Sequence, residues 1–156
     1  MVGFLLNIAL AAAWCLLNSF DGWNFVAGLV VGSFVVDAYS RLVLDYSYYA
    51  RGWSMLVFLL YFIKILNLSN LKVAMEVLTP KHHQTPRIIR YRVGDMSASR
   101  KTVLANAITL TPGTLVIDES PDGEFLYIHC MYAQDRAEAI DELDELNEAI
   151  EKGLYA

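Results

Sequence analysis

The stretch LANAITLTPGTLVID, residues 104–118, decides the fold of the C-terminal half of this 156-residue chain. Pro112 has no N–H and its ring clashes with the preceding turn, so the helix before it must end here. Gly113 then supplies the backbone freedom to turn the chain into a strand. A second turn, Ser120-Pro-Asp-Gly123, and the apolar run 125–129 predict that two short strands form a hairpin.

The flanking segments predict a small α+β domain over residues 85–156. Upstream, Ile89, Tyr91 and Val93 alternate with arginines, which is typical of a half-buried strand with a basic outer face. Ser97 or Ser99 can cap the helix that leads to Pro112, and Asp135 can cap a last, acidic helix. The predicted order is β-α-β-β-α, a ferredoxin-like pattern that lacks one strand. The inner faces of the two helices are predicted at Val103, Leu104, Ala107, Ile108, Ile140, Leu143, Leu146 and Ile150.

The last predicted strand, residues 124–132, is apolar on both faces. Phe125, Tyr127 and Met131 alternate with a second apolar set at 126, 128 and 130. A three-stranded sheet covered by two helices needs only one such face. The aromatic face is therefore a candidate contact surface, unless the membrane-proximal helix covers part of it.

Composition argues against a single soluble domain. The chain is 56% hydrophobic and has a mean hydropathy of +0.38. Charge is also divided unevenly: residues 81–101 form a linker and strand with six basic side chains and one acidic, whereas residues 102–156 hold two basic and twelve acidic. A basic belt after an apolar half is typical of a cytoplasmic membrane flank. Nucleic acid is not an expected partner, because the adjoining acidic helix would repel phosphates.

Residues 1–80 predict a membrane domain that contacts the lipid bilayer. Residues 1–20 and 23–44 are each apolar and long enough to cross the hydrocarbon core, and the short turn at Asp21-Gly22 predicts a helical hairpin. Gly28 and Gly32 form a small-xxx-small face that either packs against the other helix or faces lipid.

The third segment, residues 53–78, is apolar at first and is then interrupted by polar side chains. If Arg41, Arg51 and the basic belt all face the cytoplasm, this segment must lie in the interface or re-enter rather than cross, as an amphipathic helix that is in-plane or steeply tilted. Three full spans are the alternative. In the favoured arrangement the chain is a multi-pass protein of the inner (plasma) membrane with its C-terminal domain in the cytoplasm.

Charged side chains within the membrane domain are few. Asp37 and Arg41 are four residues apart, where they can pair on one helix face, and Lys64 lies in the third segment. An intramembrane carboxylate suggests a function in transport. The alternative is that Asp37 and Arg41 only mark the cytoplasmic end of the span. These few groups cannot form a proton or ion relay, so the sequence predicts a chain that does not conduct ions.

Catalytic and ligand-binding signals are sparse, and the sequence predicts neither an enzyme nor a cofactor or metal site. His82 and His83 are adjacent in a polar linker and have no partner at metal-ligand spacing. His129 is a single histidine on a strand. Cys15 and Cys130 fall in different halves of the chain and are expected to be unbonded, buried residues.

The chain resembles the E subunit of the Mrp-type multisubunit sodium/proton antiporter. The resemblance rests on ANAITLTPGTLVID, on the hairpin spacing D-x-x-x-D-G that follows, and on LYIH; the order of apolar segments is also similar. It implies an accessory subunit that supports the assembly or stability of the antiporter and has the other subunits as partners. The structural or interface candidates it marks are Thr111, Pro112, Gly113, Thr114, Asp118, Gly123, Tyr127 and His129.

Two alternatives to this function stay open. The same family includes homologous subunits of membrane-bound hydrogenase-like redox complexes. A different class is a stand-alone, membrane-tethered regulatory module whose α+β domain binds a small ligand.

Overall fold

The computed structural model describes residues 2–43, 45–80 and 84–155, and the chain divides into two compact units, Met1–Trp53 and Ser54–Ala156. The predicted linker histidines, His82 and His83, lie outside the described residues. The elements, in chain order, are α1 Val2–Leu17, α2 Gly22–Val43, α3 Tyr48–Leu78, β1 Arg87–Arg92, α4 Ala98–Leu110, β2 Thr114–Glu119, β3 Phe125–Cys130, α5 Arg136–Ile150 and a final π-helical turn Glu151–Tyr155.

The first unit is built on the hairpin of α1 and α2. In the connecting turn, an oxygen of Asp21 accepts the backbone N–H of Asn24 at 2.8 Å and the other accepts the hydroxyl of Ser19 at 2.9 Å. The Asn24 amide lowers the pKa of the Asp21 carboxyl below its ordinary value. Asp21 therefore acts as an N-cap, the role that a short acidic side chain favours at a helix start.

The glycines of α2 make the close approach of the two helices possible. A Cβ added at Gly28 would lie 2.9 Å from the Cα of Ala11, and one at Gly32 would lie 3.2 Å from the Cβ of Leu10. Ala11 and Cys15 are buried on the facing side of α1. Of the two interpretations of the Gly28-x-x-x-Gly32 pattern, the structure shows the packing face.

By length and composition, α2 and α3 are the described helices that could cross a membrane, whereas α1 is a shorter apolar helix. The 16 residues of α1 extend about 24 Å, somewhat less than a hydrocarbon core of about 30 Å. The third helix is longer than the predicted 53–78, because it begins at Tyr48 and continues without a break to Leu78.

The second unit contains a three-stranded antiparallel sheet in the order β1-β3-β2. With α4 between β1 and β2, this is the ferredoxin-like arrangement without its outermost strand beside β1. Both helices pack on one face of the sheet, where the core includes Ile89, Leu104, Ile108, Ile128 and Ile150. The N-caps are Ser97, which accepts the Arg100 amide, and Asp135, which accepts the Ala137 amide.

The segment of α3 that belongs to this unit packs on the same core. Phe58, Tyr61, Phe62 and Ile65 are half-buried against it. The π-helical turn also contacts α3, because a Cβ added at Gly153 would lie 2.9 Å from the ring of Phe58. α3 therefore lies on the helical side of the domain, and none of the described helices of the second unit covers the other face of the sheet.

Candidate functional site

The turn Thr111-Pro-Gly-Thr114 joins α4 to β2 through hydroxyl groups. The Thr111 hydroxyl donates to the carbonyl of Ala107 at 2.9 Å. The Thr114 hydroxyl lies 2.7 Å from the carbonyl of Ile108 and 2.9 Å from that of Thr111. These bonds satisfy carbonyls that the end of α4 leaves without helical partners.

Gly113 adopts a backbone φ of +96°, in the region that favours glycine. Its carbonyl accepts the amide of Met131 at 2.7 Å, which connects the turn to the end of β3. A Cβ at this position would lie 3.4 Å from the ring of Tyr132. The turn is thus bonded to α4 through threonine hydroxyls and to the end of β3 through a backbone hydrogen bond.

The same turn lines a cleft of about 520 Å³ between α3 and the α+β domain. Apolar side chains dominate the α3 wall, including Ile65, Leu68 and Met75, and Lys64 also lies there. Lys72 Nζ lies 4.0 Å from Glu142 Oε1 on the opposite wall, a long and exposed pair. Lys64, which the sequence marked as an intramembrane charge, thus lies beside the domain.

Two further groups face this cleft. Burial raises the pKa of the Cys130 thiol above its ordinary value, as is typical of a buried core cysteine. The Tyr132 hydroxyl is buried and makes no hydrogen bond to the described residues.

Cys15, in α1 of the first unit, is a free, buried cysteine, as Cys130 is.

Tyr127 and His129 lie on the face of the sheet that no helix of the second unit covers. The strand register sets three rows of side chains across this face. The rows, from β1 through β3 to β2, are Arg92–Phe125, Arg90–Tyr127–Asp118 and Ile88–His129–Leu115. The sequence-predicted residues Asp118, Tyr127 and His129 are therefore neighbours on one surface, which the turn at 111–114 does not share.

The hairpin turn between β2 and β3, residues 120–123, lies at one end of this surface and is fixed by several hydrogen bonds. Gly123 has a φ of +71°, and Lys101 Nζ donates to its carbonyl and lies 3.3 Å from Glu119. The Ser120 hydroxyl donates to Asp122 at 2.5 Å and lowers the pKa of that carboxyl. Gly123 is thus a structural residue of the turn.

Asp37 holds the end of α2 to the start of α3. One carboxylate oxygen lies 2.8 Å from Arg41 Nε, and the other accepts the Ser47 hydroxyl at 3.1 Å and the Tyr49 amide at 3.2 Å. Pairing of Asp37 with Arg41 follows from their spacing. Sequence reasoning missed the bonds to Ser47 and Tyr49, although a serine directly before a helix is a capping signal.

Within residues 2–43, 45–80 and 84–155, no group of three or more histidine, cysteine, aspartate or glutamate side chains could hold a metal ion. The features that the structure assembles are the turn with its cleft, the uncovered sheet face and the cluster of Asp37, Arg41, Ser47 and Tyr49.

Known proteins resemble this chain over most of its length. A family model described as Na+/H+ ion antiporter subunit matches residues 7–153. The E subunit of the Na(+)/H(+) antiporter of Bacillus subtilis (strain 168) is 35% identical over 96% of this chain and 94% of that protein. The E subunit of the Na(+)/H(+) antiporter of Alkalihalophilus pseudofirmus is 32% identical over 90% of each chain.

A solved structure is also similar. One chain in the structure of the Mrp complex from Dietzia sp. DQ12-45-1b aligns with a TM-score of 0.50 and 29% identity. The alignment covers 62% of this chain and 92% of the other.

Proposed function

Because the chain belongs to the family of Na+/H+ antiporter E subunits, we propose that it is an accessory, non-conducting subunit of a multisubunit monovalent cation/proton antiporter. The complex needs it for assembly or stability, and its partners are the other antiporter subunits. The observation that carries the proposal is the family match over residues 7–153. The similarity to a chain of the Mrp complex supports it.

The charges of the first unit support a non-conducting role. A relay needs titratable groups at several depths of the membrane. Across α1 and α2, residues 2–17 and 22–43, the charged side chains are Asp37 and Arg41, and they pair with each other near one end of α2. Asp37 is further fixed by Ser47 and Tyr49, so its carboxylate serves to connect two helices.

Asp37→Asn tests this role. The amide keeps an oxygen for Ser47 and Tyr49 but loses the charge that pairs with Arg41, so antiport and complex assembly should change together or not at all. Antiport in membrane vesicles and recovery of the intact complex from the same membranes measure the two. Asp21→Asn, at the exposed cap of α2, is the matched control. Loss of antiport in a fully assembled Asp37→Asn complex would contradict a non-conducting role.

The packing of α3 supports the membrane arrangement in which α1 and α2 cross and α3 lies in the interface. Phe58 to Ile65 contact the core of the α+β domain, so that part of α3 cannot be surrounded by lipid. The stretch before it, residues 48–57, extends about 15 Å, half of the hydrocarbon thickness of about 30 Å. The stretch after it, residues 66–78, lines the cleft beside the domain with Leu68, Lys72 and Met75. In this arrangement the domain and both ends of α3 are on the cytoplasmic side, and the basic belt of residues 81–101 supports that orientation.

The exposed face of α3 fits a bilayer surface. Met55, Leu56, Leu59, Leu60 and Ile63 are exposed and recur at helical spacing on the side away from Phe58 and Phe62. An apolar helix stripe of this kind is typical of interfacial helices. In this arrangement α3 carries the domain on one face and rests on lipid with the other.

The cleft beside α3 is the observation that favours a second function, a stand-alone regulatory module that binds a small amphiphile. Its apolar walls and two lysines suit such a ligand. Purification in detergent separates the two functions. A monodisperse, stable chain without partners would favour the module, whereas co-purification with other antiporter subunits would favour the accessory subunit.

A further inference from the structure

The surface that carries a further inference is the uncovered face of the β-sheet. In the second unit α4 and α5 cover one side of the sheet, and α3 packs on that same side. The side chains of the other face include Ile88 and Leu115, which are 65% and 49% exposed. His129 lies between Ile88 and Leu115 on β3, and Tyr127 and Phe125 lie on the same face of that strand; all three are half-buried. A contiguous apolar and aromatic patch on a sheet marks an interaction site.

The charges on this face are arranged by strand. Arg90 and Arg92 lie on β1, at one edge, and Asp118 lies on β2, at the other. The Arg90 guanidinium is 4.4 Å from the centre of the Phe125 ring. Arg92 is 3.7 Å from Asp95 and 3.9 Å from Glu124, and these side chains are well exposed. Such pairs are weak, so the β1 edge presents positive charge beside apolar side chains.

The position of α3 decides which kind of partner this face can take. The α3 residues Phe58, Tyr61, Phe62 and Ile65 pack against the core, which lies on the side of the sheet that α4 and α5 cover, so α3 does not lie on the uncovered face. A bilayer along α3 is therefore not the expected partner of this face. Nucleic acid is disfavoured because twelve of the fourteen charged side chains in residues 102–156 are acidic.

We propose that the sheet face formed by Ile88, Arg90, Arg92, Leu115, Phe125 and Tyr127 docks a segment of another antiporter subunit. The segment carries carboxylates that pair with the two arginines, next to apolar side chains that cover Ile88 and Leu115. Arginine and aromatic side chains are the residues that contribute most at protein interfaces. The inference rests on the proposed function, since it requires the chain to be part of a complex.

Photo-crosslinking in the intact complex locates the partner. A photoreactive amino acid replaces Ile88 or Leu115 on the proposed face, or Glu138 as a control, because Glu138 is exposed on α5 on the opposite side of the sheet. We expect the first two positions to crosslink to one other subunit, through a peptide that contains aspartate or glutamate, and Glu138 not to. Crosslinks to a second copy of this chain, to lipid alone or to nothing would each overturn the proposal.

Charge substitutions test the arginines separately. The double variant Arg90→Glu/Arg92→Glu should lower co-purification of the crosslinked subunit about tenfold or more, as loss of interfacial charge pairs does. Arg90→Lys/Arg92→Lys should retain most of it, and Arg136→Glu, exposed on α5, should not change it. Thermal unfolding of each variant in detergent confirms that the fold is intact. Unchanged co-purification of the folded double glutamate variant would overturn the proposal.

The proposed function and this inference fail in different ways. If the unaltered chain does not co-purify with any antiporter subunit, the proposed function is wrong. If it co-purifies and both the crosslinks and the charge variants show no effect of the sheet face, only the docking surface is wrong.

Discussion

At the scale of single residues, the fold of the second unit depends on positions that few residue types can occupy. Gly113 must adopt a left-handed backbone conformation for α4 to continue into β2, and its carbonyl then meets the Met131 amide. Tyr91 is buried below the sheet, yet its hydroxyl reaches Asp144 on α5 at 2.6 Å. Gly113 thus connects the turn after α4 to the end of β3, and Tyr91 connects β1 to α5.

Gly113→Val should destabilise the chain by more than ~1 kcal/mol, because a β-branched residue is strained at positive φ. Thr111→Ala should be mild, since Thr114 shares the capping of the same helix end. Thermal unfolding of the full chain in detergent measures both. Gly52→Val is the matched control, because nothing lies within 4 Å of a Cβ added there. Equal stability of the two glycine variants would rule out a conformational requirement at 113.

Tyr91→Phe tests the buried hydroxyl through pH. Burial raises the pKa of Tyr91, and the bond to Asp144 raises it further. The folded state therefore holds this proton more tightly than the unfolded chain, whose tyrosine pKa is about 10. The stability that Tyr91 contributes is present below pH ~10 and is lost as the pH rises further.

Denaturant unfolding of Tyr91→Phe and the unaltered chain between pH 8 and about 11 measures this linkage. At the lower pH the free energy of unfolding of the unaltered chain should exceed that of Tyr91→Phe by about 1 kcal/mol, as for one hydrogen bond. This difference should shrink above pH ~10. A difference that does not depend on pH would show that ionisation of Tyr91 is not linked to folding.

At the scale of elements, the two units are stabilised by different kinds of contact. The α1–α2 hairpin depends on backbone proximity at Gly28 and Gly32, because lipid tails provide little drive for apolar side chains to associate. The α+β domain depends on a core that α4, α5 and the sheet enclose. Small residues are thus essential in the first unit and large apolar residues in the second.

Gly28→Ala should loosen the hairpin. The added methyl group would meet the Ala11 backbone, which cannot move as a flexible side chain does, and overpacking of this kind costs about 1–3 kcal/mol. The matched control is Gly22→Ala, where the space around the added Cβ is empty to 4 Å. A lower unfolding temperature in detergent for Gly28→Ala alone is the expected result. If both variants unfold alike, the close contact with α1 does not contribute to stability.

At the scale of the whole molecule, α3 belongs to both parts of the chain. It begins at the Asp37 cluster of the first unit, and Phe58 to Ile65 pack on the domain of the second. Its other face exposes an apolar stripe. The number of membrane crossings depends on whether this stripe lies flat on the bilayer.

Single cysteines at Asp45 and Thr79, before and after α3, test the arrangement in a background with Cys15 and Cys130 replaced by serine. If α3 lies in the interface, a membrane-impermeant maleimide should label both positions from the cytoplasmic side of oriented vesicles. Arg136→Cys, exposed on α5, reports the side of the domain. Labelling of Asp45→Cys and Thr79→Cys from opposite sides would show that α3 crosses the membrane.

The order of elements could be predicted from the amino-acid sequence, because each boundary depends on local chemistry. Pro112 and Gly113 end α4, Asp21 and Asp135 cap helices, and alternation along 89–93 gives the strand its buried side. Which surfaces meet became clear only from the folded chain. The alternation of β3 showed two apolar faces but not which one α3 covers, and the spacing of Gly28 and Gly32 did not show that α1 packs there.

The same division applies to the candidate residues. Asp37 and Arg41 were predictable as a pair because a helix places them one turn apart, whereas the bonds from Asp37 to Ser47 and Tyr49 depend on how the chain turns after α2. Lys64 was an intramembrane charge by sequence position, and it lies beside the domain because α3 packs on that core. Local sequence sets the backbone and the pattern of each element, but contacts between distant elements depend on which packing buries the most apolar surface.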